Sequence, residues 1–180
     1  MAARQPSLEE ALLYYYDGIS ACPKLIARSS NLIWDFAPRM SIPLNATTHP
    51  LLVERLFFPP ASNGDDGDGD DRDSLLYEIL DILLGYPMVA IAFLHTCTRN
   101  QNWQTVLVVD VKPGRLTWAE GYELAWHCKA VMHEHGIFDV ECEVREALGG
   151  DDDDDGQVAK LWHDVSLAFE DDVDDIADWM

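Results

Sequence analysis

The sequence predicts an α/β (α+β) fold: a small mixed three-stranded sheet in the order α-β-β-α-β over residues 74–148, with additional N-terminal and C-terminal helices. Three observations carry that prediction. Leu76, Ile79, Leu80 and Leu83 recur at helical spacing, and from Met88 onward the period changes to that of a strand. Thr117 and Glu120 have capping-box spacing and open a helix that stands between the second and third strand-like runs. Such a helix joins its two strands by a crossover, expected to be right-handed, whereas the short polar turn of residues 99–102 makes the first two strands an antiparallel hairpin.

Each element has a local cause. Ser7 and Glu10 also have capping-box spacing, which starts a helix over residues 8–16 that Asp17 and Gly18 stop. Pro23, Pro38 and Pro43 break residues 22–45 into irregular chain, with a short strand over 24–27. Pro50 suits the first turn of a helix over 51–57, where its missing N–H has no partner to lose, and Pro59 and Pro60 close that helix. Residues 63–73 are a Gly/Asp mixture without an apolar side chain, so a disordered surface loop is expected. Ser74 caps a helix over 75–84 that Gly85 ends.

Residues 88–97 are apolar at both alternating positions, which marks a central strand covered on both faces; residues 103–111 are its hairpin partner. Pro113 and Gly114 break the chain before the Thr117 helix, which runs to Gly136. Gly121, Leu124, Ala125, Cys128, Val131 and Met132 share the side expected to lie on the sheet, while Glu120, Glu123, His127 and Glu134 face water. In the third strand Phe138, Val140, Cys142 and Val144 point inward. They alternate with Asp139, Glu141, Glu143 and Arg145 on an expected wet face.

With 48% apolar and 10% aromatic residues in 180, the chain has material for one core. It divides into an N-terminal part packing on that core (1–62), the acidic loop (63–73), the core itself (74–148), and an acidic linker, a helix over 158–169 and an acidic tail (149–180). The longest apolar stretch, residues 87–94, falls far short of the roughly 18–20 residues a bilayer span needs. Residues 1–16 lack the basic start and cleavage site of a secretory signal, so a cytoplasmic or nuclear protein is expected. Cys22, Cys97, Cys128 and Cys142 form no C-x-x-C pair, which fits reduced thiols better than a disulfide framework or a zinc site.

The formal charge of −21 is concentrated in two places: six acids against Arg72 in residues 63–73, and twelve against Lys160 in residues 151–180. Phosphate binding needs clustered Lys and Arg, so no nucleic-acid partner is expected, and no membrane.

The segments YYDGISACPKLIARS (residues 15–29), VKPG, LTWAEG and GIFDVECEVRE resemble a broad group of uncharacterised proteins found in many fungi. That group has no established activity, so the resemblance implies a shared fold and no chemistry. Its longer members continue into a further domain, in whose place this chain carries the acidic tail.

Asp151, Asp153, Asp155 and Gly156, with Val158 at the eighth place, reproduce the first half of an EF-hand calcium loop. The second half departs from it: Trp162 stands where the bidentate Glu belongs, and Ala159 offers no oxygen at the ninth place. A solvated linker gives the same aspartate run. The Asp66, Asp68, Asp70 series departs further, with Asp71 in place of the turn glycine. His133 and His135 lie two apart on a helix, about 200° around its axis, and cannot easily share an ion. Asp139, Glu141 and Glu143 repeat at roughly 6.5–7 Å along one strand face, within the range of hydrolase carboxylate pairs, and a solvated strand face repeats them equally. Cys97, Cys128 and Cys142 fall on buried faces where a thiolate is disfavoured. No catalytic or cofactor-binding pattern stands above these plainer readings.

Two features point instead to a partner. Tyr122 and Trp126, with Lys129 and His133, form a second stripe on the main helix beside the sheet-facing one. The C-terminal helix or an N-terminal one could cover it, or a partner could. In the tail, acids interleave with Val173, Ile176 and Trp179, the pattern of segments that fold onto a partner. The sequence therefore predicts a non-enzymatic intracellular interaction module with an acidic tail that binds a basic protein. The alternative is a small hydrolase or calcium-modulated enzyme using the carboxylates around Glu141 or the Asp151 loop.

Overall fold

The computed structural model describes residues 4–13, 23–31, 39–44, 48–57, 74–98 and 103–147. Among them the chain forms α1 (Leu8–Leu13), β1 (Leu25–Arg28), β2 (Arg39–Pro43), α2 (Pro50–Phe57), α3 (Leu75–Leu83), β3 (Met88–Thr98), β4 (Gln104–Val111), α4 (Trp118–Glu134) and β5 (Val140–Glu146). The fold is mixed α/β, as the sequence predicts. The loop 63–73, the helix expected over 158–169 and residues 14–16 of the first helix lie outside the described residues.

The strands make one sheet in the order β1-β5-β4-β3-β2, five where the sequence predicts three. The predicted part is intact. β3 and β4 are antiparallel, with Ile91 opposite Val109 and Phe93 opposite Leu107, and β5 runs parallel to β4 after the α4 crossover. The additional strands are the two edges: β1 lies antiparallel to β5 and β2 antiparallel to β3. β1 is the short strand expected near residues 24–27. β2 escapes a sequence reading because Pro38 and Pro43 bound it, yet an edge strand tolerates proline, having one row of backbone groups outside the ladder.

These edges shift the centre of the sheet. β4 becomes the middle strand, and Val106, Leu107, Val108, Val109 and Val111 are fully buried. β3, expected to be covered on both faces, buries Ile91 but leaves Val89, Phe93 and Leu94 half-buried. On one face α4 lies against β1 and β5, α3 packs on α4, and α2 on α3. Leu52, Ile79, Leu124 and Met132 from the helices share one core with Leu107, Val109 and Val144 of the sheet.

The helix ends explain their boundaries. Thr117 Oγ1 accepts from the Glu120 N–H and Glu120 Oε2 accepts from the Thr117 N–H, completing the predicted capping box of α4. At the far end Gly136 takes φ 78°, its N–H bonds to the His133 carbonyl, and the Ile137 N–H bonds to the Met132 carbonyl. This is a Schellman motif, and its apolar contact residue is the buried Ile137. The turn therefore places Ile137 in the core and leaves Phe138, expected to point inward, 69% exposed ahead of the strand. α2 begins similarly on a side chain: His49 Nδ1 accepts from the Leu52 N–H, with Pro50 following at the first turn.

Candidate partner-binding surface

The face of β5 expected to be wet is largely covered, because β5 is an interior strand with β1 beside it. Glu143 is 1% exposed and stands opposite Arg28. Arg28 is itself paired with Glu10 of α1, Nη2 to Oε1 at 2.5 Å. Arg145 forks onto Asp110, its register neighbour on β4. Glu141 accepts from Lys129 Nζ at 2.6 and 2.7 Å and from Ser29 Oγ at 2.5 Å. Asp139 precedes the strand and pairs with His49 at 3.1 Å. The three carboxylates spaced for hydrolysis thus have three separate tasks, and none faces another across an open cleft.

The histidines and cysteines separate in the same way. His135 Nε2 meets Glu78 of α3 at 2.9 Å, while the His133 ring rests against Phe138. Among the described residues no group of three or more His, Cys, Asp or Glu is placed to hold a metal ion. Cys128 and Cys142 are fully buried between α4 and the sheet, as predicted, while Cys97 is half-buried. A hydrogen bond to Cys128, together with burial, pushes the Cys142 thiol well above the ordinary range, which removes it as a nucleophile at neutral pH.

What the described residues do leave open is the outer side of α4. Trp118, Tyr122 and Trp126 follow one another at four-residue steps, so their rings stack up one side of the helix. Ring centroids are 5.6 Å apart for Trp118 and Tyr122 and 6.1 Å for Tyr122 and Trp126, both tilted, the arrangement aromatic quadrupoles favour. Lys129 Nζ lies 5.4 Å from the Trp126 centroid, within cation–π reach. Trp118 and Tyr122 are half-buried against the core, and Trp126 keeps 37% of its surface exposed.

The sequence reading finds Tyr122 and Trp126 but misses Trp118, which sits in the capping turn and reads as part of the helix start. The four-residue step back from Tyr122 is the signal that could have found it. Lys129, read as part of an open stripe, is instead turned onto Glu141. The calcium candidates Asp151, Asp153 and Asp155, and the tail candidates Val173, Ile176 and Trp179, lie outside the described residues.

No helix among the described residues is long and apolar enough to cross a membrane. Family models, curated proteins and solved structures offer no match to this chain.

Proposed function

We propose that the chain is a non-enzymatic interaction module of the cytoplasm or nucleus, which meets a basic protein partner through the outer side of α4 and the acidic segment that follows the core. The observation carrying this reading is Trp126: a large ring, 37% exposed, held between Tyr122 and Lys129. A ring already fixed in place loses little side-chain entropy when a partner covers it, which is the usual situation of an interface hot spot. The twelve acids of residues 151–180 supply the attraction to a basic surface. Once their mutual repulsion is neutralised, Val173, Ile176 and Trp179, three apart, fall along one side of a helix.

The hydrolase alternative finds no support in β5, where Glu141 and Glu143 are engaged or buried. The test compares capture of binding proteins by the full chain, by Trp126→Ser and by a chain ending at Phe169, at low and high salt. Capture that is salt-sensitive and weakened by both changes is expected. Equal capture by all three removes the reading.

A further inference from the structure

Among the described residues, three histidine rings gather around the passage from α4 to β5. His133 rests against Phe138, His135 holds Glu78 of α3, and His49 reaches Asp139 from the start of α2. Of the three, His49 has both ring nitrogens engaged. Its Nδ1 accepts from the Leu52 N–H at 3.1 Å, and its Nε2 lies 3.1 Å from Asp139 Oδ1.

These two contacts fix the proton on the ring. A nitrogen that accepts carries no hydrogen, so the imidazole is neutral, with its proton on Nε2 and donated to Asp139. The Leu52 bond matters because α2 begins with few ways to satisfy its donors. Pro50 has no N–H, and the Val53 N–H bonds to the His49 carbonyl, which leaves Leu51 and Leu52. Leu51 is open to water. Leu52 is fully buried, and its N–H depends on the ring.

A second proton has only Nδ1 to go to. There it would face the Leu52 N–H donor to donor, at the positive end of the α2 dipole. Asp139 can still accept from Nε2–H, and its 77% exposure leaves the new charge pair screened by water. Among the described residues no other charged group touches the ring; Glu54 and Arg55 of α2 lie in later turns, and His133 and His135 make no contact with it.

We propose that His49 is a proton-sensitive cap: on taking up a proton it keeps Asp139 and releases Leu52, and the first turn of α2 loosens. The released turn carries Leu52 and Val53, which α2 contributes to the core beside α3. Acid thus acts on one element of the fold, away from Trp126 and the α4 surface.

Because the exchange of contacts is local, its readout is local too. In the full chain, nitrogen resonances of the His49 ring report its tautomer and its protonation from pH 8 to pH 5, the range in which histidines change charge. Hydrogen exchange of the Leu52 amide, divided at each pH by that of an unstructured chain, reports the cap. The ring should carry its proton on Nε2 at pH 8, and Leu52 protection should fall about fivefold as Nδ1 is protonated, the worth of one N-cap. His49→Asn, which caps without titrating, should hold that protection level across the range. The proposal is overturned if Nδ1 carries the proton at pH 8, if the ring is still neutral at pH 5, if Leu52 protection stays level while the ring charges, or if it falls equally in His49→Asn. The first three outcomes are read on the original chain and stand even if His49→Asn does not fold.

Discussion

Gly121 and Ile26 meet where α4 crosses β1, so closely that a Cβ on Gly121 would stand 2.9 Å from Ile26 Cγ2. A glycine inside a helix costs about 1 kcal/mol relative to alanine. Here it lets the helix approach the strand, and the approach buries Leu124, Ala125 and Cys128 against the sheet.

Gly121→Ala is therefore expected to destabilise the protein by about 1–3 kcal/mol in a denaturant titration, in spite of alanine's better helix propensity. Ile26 is β-branched and stiff at χ1, so its methyl cannot swing away. Adding Ile26→Ala, which deletes that methyl, should reveal a coupling of at least about 0.5 kcal/mol between the two sites. Strictly additive losses would mean that helix and strand do not touch there.

Cys128 and Cys142 are expected to resist thiol reagents in the native protein and to react freely once it is unfolded. Both are fully buried, and the reactive thiolate of Cys142 is disfavoured by its hydrogen bond to Cys128 and by burial. Because its folded pKa is raised, the associated stability is complete below the ordinary thiol value of 9.0 and is lost as pH climbs from there toward the folded value. Cys142→Ala should show a shallower loss on that alkaline side. Fast native labelling of either cysteine would contradict the packing.

Removing the α4 cap by Thr117→Ala should cost about 1 kcal/mol. Its partner supplies a pH signature. The Thr117 backbone N–H, then its hydroxyl, hold the Glu120 carboxyl below the ordinary glutamate value of 4.5. A depressed pKa contributes stability that is present above the unfolded value and lost as pH falls through the folded one. Thermal melts taken from neutral pH downward should show the loss beginning near 4.5 in the original chain, and a smaller one in Glu120→Gln. Identical acid limbs would show that the capping box is not formed in solution.

The elements legible in the sequence are those whose cause is local. The Thr117 box, the Gly136 stop and the hairpin from β3 to β4 depend on residues close in sequence, and all stand where the pattern puts them. The burial of Glu143 was not legible, because alternation along one strand cannot report that β1 will lie beside it and place Arg28 opposite. The outward place of Phe138 is illegible for a related reason: a strand period extended back through residue 138 does not report the Schellman turn, which gives the core place to Ile137. At the candidate surface the sequence supplied Tyr122 and Trp126. Trp118 shares its surroundings with α1 and β1, which come from a distant part of the chain and which no local pattern reports.

The pair formed by Glu10 and Arg28 ties that distant part down and gives the sharpest stability prediction. Their side chains are 1% and 7% exposed, and their 2.5 Å contact is an ion pair rather than a well-aligned hydrogen bond. Glu10 Oε2 also takes Arg4 at 3.3 Å and the Ser7 N–H at 3.4 Å, so one carboxylate caps α1 and anchors it to β1. Breaking a buried pair from one side leaves a charge in a poorly solvated place, at a cost of about 3–5 kcal/mol, whereas replacing both partners by apolar groups can be neutral or stabilising. Glu143, 1% exposed, stands opposite Arg28 on β5, so the arginine lies between two carboxylates. Arg28→Met should therefore lose more stability than Glu10→Leu, because it strands two buried carboxylates where the other change removes one. Glu10→Leu also loses the cap on α1, about 1 kcal/mol, which adds to its cost without reversing the order. Chemical denaturation of the two variants decides it. A Glu10→Leu variant as stable as the original chain would mean that the Glu10 pair does not anchor α1.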